Sequence, residues 1–247
     1  MLKLMKYEFR KTMFSKLVLL VVTGLAEILF LTGVFLEWDK GLAIGMVGLL
    51  LCTVIGIFYI GLESLIVFHR DLNTKQSYML FLTPRNSYQV LGSKILENGI
   101  SIFLAGAFFA VLAAVDVTVA VLYIGGLQEF LDLLKQLSFT WDVEINISRV
   151  EILMAFLSSL ASWLMMIVTG YLAIVLSATV LAGKRFSGFV SFLLYIALTW
   201  VSGMALDRIP SFDNVTLKFW LVIAGAFAVS TVMYAVSGWI MERKLSV

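Results

Sequence analysis

Six apolar stretches, each twenty residues or longer, leave this chain of 247 residues very few folds: Leu17–Leu36, Leu42–Phe68, Ile95–Ile124, Ile152–Leu181, Ser187–Leu206 and Leu217–Ile240. A hydrocarbon layer about 30 Å thick takes roughly 20 apolar residues to cross as a helix. Inside that layer no water is at hand for backbone N–H and C=O groups, so a chain crosses either as helices or as a closed barrel. Barrel strands would read as segments of about ten residues with alternating polarity, whereas these runs are apolar all round. Pro84 and Pro210 both fall between the runs, where they break no helix. With 61% hydrophobic and 14% charged residues, against about 45–50% and about 25% in soluble domains, the expectation is an all-α membrane protein of six transmembrane helices.

Lysine and arginine set the orientation, because short cytoplasmic loops carry the positive excess. With the amino terminus inside, thirteen of the eighteen cations are cytoplasmic; Lys40, Lys135, Arg149, Arg208 and Lys218 remain outside. Both termini are therefore expected in the cytoplasm, with the polar segment His69–Lys94 on the same side. The basic start before Leu17 resembles a secretory signal, but the apolar run exceeds the 7–15 residues of a signal core and no small-x-small cleavage site follows. Leu2, Met5, Phe9 and Met13 recur at helical spacing beside Lys3, Lys6 and Arg10, which predicts an amphipathic interfacial helix over 2–14.

Several chemistries are excluded by residue count. Cys52 is the only cysteine, so no intrachain disulfide or cysteine metal cluster forms. His69 is the only histidine, which removes the zinc helix motif and leaves Ser–His chemistry one candidate base. Gly183-Lys184, the only Gly-Lys pair, has Ala178 in place of the first glycine of a phosphate loop and Arg185 in place of its Ser or Thr. The chain is thus expected to bind no cofactor and to hydrolyse no ATP itself.

Acids at bilayer depth cost on the order of 2.5–3.5 kcal/mol on insertion scales and are functional candidates for that reason. Glu27 is eleven residues past Lys16, ~16 Å along a helix and near the midplane. Glu63 lies six residues before His69, ~9 Å inside the cytoplasmic edge. Both are candidates for a translocation path or a subunit interface. Asp116, ~33 Å beyond Lys94, is expected at the outer surface. Gly41, Gly45 and Gly48 in the second run and Ser158, Ser159 and Ser162 in the fourth are expected to let helices approach closely.

Two connecting segments are more than turns. In the external one, 125–150, Phe130, Leu133, Leu134 and Leu137 keep helical spacing, after which Phe139, Trp141, Val143, Ile145 and Ile147 alternate with polar residues. That pattern predicts an interfacial helix followed by an extended strand. The other, the 26-residue segment His69–Lys94, places Arg70, Lys75 and Arg85 around an apolar patch, Tyr78-Met79-Leu80-Phe81-Leu82. Such a patch suits a docking surface on a partner or on membrane lipid.

The second loop, reading Asp71-Leu-Asn-Thr-Lys-Gln-Ser77-Tyr78-Met79-Leu80-Phe81-Leu82-Thr83-Pro84-Arg85, and Ser93-Lys94 at the entry to the third run resemble the permease subunit of bacterial type-2 ATP-binding-cassette exporters. The basic amino-terminal helix and the six spans with both ends inside agree with that family's architecture. The resemblance implies a bacterial cytoplasmic membrane protein that pairs with a second permease subunit, identical or homologous. It also implies that each of the two permease subunits docks through a cytoplasmic coupling helix onto one of two copies of a separate ATPase, which would bind ATP and magnesium. Thr83 precedes a proline and is steered away from helical backbone, so such a helix over Ser77–Leu82 would end there. Arg70, Lys75, Ser77, Tyr78, Met79, Leu80, Phe81, Leu82, Pro84 and Arg85 are then the docking residues. A peptide, a lipid or a hydrophobic compound is the implied cargo, with no nucleic acid involved.

Two other classes stay open: a sensor or immunity protein that binds a peptide at the outer face without transport, and an intramembrane enzyme. Against the enzyme, the acids are scattered and one histidine is all there is. For an exporter, deleting Gln128–Ile147 is expected to alter export or resistance without preventing membrane insertion. Unchanged export in that variant would separate the external segment from the cargo.

Overall fold

A computed structural model describes residues 2–73, 86–123, 149–180, 186–209 and 215–245. Six helices occupy them: α1 Leu2–Phe35, α2 Asp39–Asn73, α3 Ser87–Tyr123, α4 Arg149–Val180, α5 Ser187–Asp207 and α6 Val215–Ile240, the last continued by a π-helical turn, Met241–Leu245. All six are long and apolar enough to span a membrane, and no strand occurs among the described residues. The strand expected at 139–147 and the helix before it lie outside the described residues, as does the coupling helix expected at Ser77–Leu82.

The helices are longer than the apolar runs. α2 continues five residues past Phe68 to Asn73, and α3 begins at Ser87, eight residues before Ile95. The stems of the His69–Lys94 segment are therefore helical, and only 74–86 lies between them. At the amino terminus the expected division into an interfacial helix over 2–14 and a span from Leu17 is replaced by one unbroken helix. Nothing from Phe14 to Leu17 breaks a helix, and the polar side of this stretch is used for packing. Glu8 and Thr12 are buried while Met13 is exposed, the reverse of an apolar stripe turned inward.

The chain forms two compact units. The first comprises Lys6–Leu62 and Glu97–Ile145, that is, α1, most of α2 and most of α3. Its α1–α2 hairpin is tight: Leu36 and Trp38 donate backbone hydrogen bonds to Thr32 and Gly33 oxygens (3.0 and 2.9 Å), with Glu37 between them at φ 51°. This is a Schellman-type closure, in which the 38-to-33 bond caps the helix and the residue before the donor is left-handed. Glycine usually takes that position; here a glutamate bears the strain. Below the turn α1 and α2 run in backbone contact. A Cβ added to Gly45 would meet the Phe30 backbone at 2.5 Å, and one added to Gly33 would collide with Leu42. Phe30, Val34, Met46, Leu49 and Ala120 form the core there.

The second unit comprises Met1–Met5, Glu63–Leu96 and Asn146–Val247. Its central helix is α4, with 56% of its apolar window covered, against 11–22% in the other five helices. Phe68 from α2, Leu91 from α3, Met241 and the α4 residues Ile167, Tyr171 and Val175 build its core. The packing face of α4 carries Ala161, Thr169, Ala173, Ser177 and Ala178, all buried, and Gly170, which sits tight on Leu65. Ser159 and Ser162, expected on a packing face, are instead exposed. The pattern of small residues alone does not say which face of an apolar helix turns inward. Ser191, Ser202, Ser230 and Ser237 each return their hydroxyl to the carbonyl four residues earlier, at 2.7–2.9 Å, which satisfies them where lipid offers no partner.

Gly45→Ala is expected to destabilise the chain by about 1–3 kcal/mol through overpacking, outweighing the ~1 kcal/mol that alanine gains over glycine in a helix. Gly106, with open space where a Cβ would go, supplies the control. Thermal unfolding in detergent should drop for Gly45→Ala and hold or rise for Gly106→Ala; equal behaviour would contradict the close approach.

Candidate functional site

At the end of the second unit from which residues 74–86 emerge, polar side chains from four helices interlock. Lys94 Nζ of α3 donates to Asp71 Oδ2 of α2 at 2.8 Å, and both side chains are 2% exposed. The ammonium also lies 5.8 Å from the Phe68 ring centroid, within cation–π range. Two charges taken out of water cost several kcal/mol each, and geometry this close, with supporting contacts, is what offsets it.

Beside the ion pair, Ser187 at the start of α5 acts as a hub. Its Oγ lies 3.1 Å from His69 Nε2 and donates to Asn73 Oδ1 at 3.0 Å, while its carbonyl accepts from Ser177 and Ser191. Asn73 in turn donates to the His69 carbonyl at 3.0 Å. A hydroxyl has one proton; with it directed to Asn73, His69 donates through Nε2–H, which fixes the ring tautomer. The histidine is thereby used for structure. The two stems of the connector are thus joined to each other by Asp71–Lys94, and the α2 stem is joined to the α4–α5 junction by His69, Asn73 and Ser187.

The first unit holds a second buried network. Glu97 of α3, 3% exposed, accepts from Lys16 (2.7 Å), Thr12 (3.1 Å) and Ser101 (2.9 Å), and Lys16 also donates to Thr12 (2.9 Å) and Ser101 (2.6 Å). Asn98, 1% exposed, donates to the Ile60 carbonyl of α2 at 2.9 Å. Farther along, the Glu27 and Asp116 carboxyls face one another.

Of the residues singled out from sequence, Glu63 is buried in the second unit, Glu27 is half-buried in the first, and Arg70 is exposed on the last turns of α2. Lys75, Ser77, Tyr78, Met79, Leu80, Phe81, Leu82, Pro84 and Arg85 lie outside the described residues. Asp116 is 9% exposed and faces Glu27 of α1; it lies seven residues before the end of α3, where the Tyr123 ring meets Phe35 edge-on at 4.9 Å. Sequence reading also missed Lys16–Glu97, although an acid two residues inside the third run and a lysine just before the first were both visible.

Among the described residues no group of three or more His, Cys, Asp or Glu is placed to hold a metal ion. The arrangement is mechanical: it fixes helix ends. Fold and clusters together define a multi-pass helical membrane protein. Comparison with protein-family models, curated proteins and solved structures finds no match.

Removing one partner of a buried pair strands the other charge and typically costs 3–5 kcal/mol, whereas replacing both by apolar residues is often neutral or better. Asp71→Leu and Lys94→Met are each expected to lower thermal stability strongly, and the double variant to recover most of it. Additive losses in that cycle would show that the two side chains are not coupled.

Proposed function

We propose that this chain is the membrane-spanning subunit of an ATP-driven exporter in the bacterial cytoplasmic membrane, with both termini inside. It works with two copies of a separate ATPase, using ATP and magnesium, one of which docks on its 69–94 connector. A second permease subunit, identical or homologous, completes the path for a peptide, a lipid or a hydrophobic compound. The observation that carries this reading is the clamp under the connector. A flexible loop joining two spans has no need of a buried Asp71–Lys94 pair at its base, nor of a Ser187 hub holding the α2 stem to another helix. A loop that receives a push does, since a force on the connector is useful only if both stems move as one.

On this reading Tyr78, Leu80 and Phe81 are apolar knobs for a groove on the ATPase, and Arg70, Lys75 and Arg85 meet its acids or anionic headgroups. ATP-driven closure of the partner displaces the connector. The clamp then passes that displacement into α2, α3 and the α4–α5 junction, and the permease alternates between inward- and outward-facing states. The chain does no covalent chemistry of its own. The chain's resemblance to type-2 exporter permeases, with Asp71 and Ser93-Lys94 among the matching residues, supports the same reading.

Purification of the tagged chain in mild detergent is expected to bring down a subunit bearing GxxxxGK[ST], with ATPase activity. Leu80→Asp combined with Phe81→Asp should leave the chain inserted and reduce the recovered ATPase at least tenfold. Recovery of no ATPase with the native chain, or undiminished recovery with the double variant, would overturn the docking role.

A further inference from the structure

The facing acids of the first unit stand at matching depths. Glu27 is eight residues before the end of α1 and Asp116 seven before the end of α3, ~12 and ~10 Å short of the Phe35–Tyr123 contact. The two carboxyls share a side-chain hydrogen bond, and Glu27 Oε2 and Asp116 Oδ1 are buried with no other partner. Among the described residues the charged group acting on each carboxyl is the other one. This differs from Asp71 and Glu97, whose charges are met by Lys94 and Lys16. One proton shared between two buried acids leaves one negative charge, which is met either by a second proton or by a cation from outside the chain.

Asp116 also lines a groove, of about 190 Å³, whose other walls are almost wholly apolar and include Phe30, Met46, Leu49, Phe109 and Leu112. An apolar cavity of roughly 150 Å³ suffices for benzene, so one aromatic ring or a short alkyl group fits. Phe30 and Phe109 bring aromatic rings to the lining, and an aromatic ring attracts a nearby cation. A neutral lipid chain would fill such a groove without any need of the acid; a small inorganic cation would need several oxygens and no apolar walls. An acid in the wall of an apolar groove fits a molecule with both characters.

We infer that the groove lined by Asp116 is a binding site for a lipophilic monocation, its quaternary or alkylated ammonium group against the Asp116 carboxyl, which Glu27 backs, and its apolar part against Phe30, Leu49 and Phe109. The site belongs to α1, α2 and α3 alone and is independent of the export reading: binding requires neither an ATPase nor transport.

The test uses the full chain in phosphatidylcholine nanodiscs, which lack anionic lipid, with radiolabelled benzyltrimethylammonium as probe and empty nanodiscs as background. Saturable binding is expected at one site per chain, undisturbed by the anion 4-phenylbutyrate. Asp116→Asn should weaken it at least tenfold and Glu27→Gln measurably, while Ala113→Phe, which fills the groove and spares both carboxyls, should weaken it as much as Asp116→Asn. Thermal unfolding identifies any variant that fails to fold; for such a variant, displacement of the probe from the native chain by increasing tetramethylammonium reports the same charge dependence. No saturable binding to the folded native chain would mean that a proton neutralises the pair. Equal binding by Asp116→Asn would mean that the groove takes apolar groups only. Displacement by 4-phenylbutyrate would mean an unselective slot open to lipid chains. Each of these results overturns the proposal.

Discussion

A charge in hydrocarbon has to find its opposite inside the protein, and α3 is where this chain meets that demand. Lys94 bonds to Asp71 of α2 and Glu97 to Lys16 of α1, and the neutral Asn98 donates to an α2 carbonyl; Asp116, which meets an acid of α1, is the exception. Among apolar surfaces in lipid there is little hydrophobic gain from helix association, since the tails are as apolar as leucine. Polar pairs therefore decide which helices adjoin and in what register. The apolar residues fill the space that these contacts define.

The consequence is visible in the contrast between helices. Past the Ser187 hub at the start of α5, the serines Ser191, Ser202, Ser230 and Ser237 of α5 and α6 bond back to their own backbone and so specify no neighbour. They are placed by close contact instead, with Gly225 against Leu206 and Gly238 on the Tyr88 ring, and by the Tyr234 hydroxyl, which donates to the Tyr88 carbonyl at 2.7 Å. α1 and α3 are fixed by charge. Helices held by packing slide more readily than helices held by an ion pair.

The six spans were legible because length and apolarity suffice to identify a crossing helix. The helix ends were less so. A polar residue near the membrane edge reads as loop, yet His69, Asp71 and Asn73 are the last turns of α2, made helical by partners distant in sequence. Side-chain pairing was the least legible. Asp71 and Lys94 were both seen, as part of a loop signature and as a cation of the insert, and Glu27 and Asp116 were both noted as acids. What sequence lacks is azimuth: in an apolar helix no amphipathic stripe shows which way an isolated charge points. The Gly45 packing was recognisable from residue size, whereas the buried face of α4 was not.

Glu37 fixes depth as well as direction. A glycine at the left-handed position would close the α1–α2 hairpin with less strain, but it would be as content within the lipid as outside it. Glutamate, followed after Trp38 by Asp39 and Lys40, cannot follow the turn into hydrocarbon without shedding its hydration. The turn is thus moored at the water boundary. Since α1 descends from it as one unbroken rod, the mooring also dictates how far beneath the surface Glu27 must lie, so the level of an acid inside the membrane is calibrated by the backbone of a residue outside it.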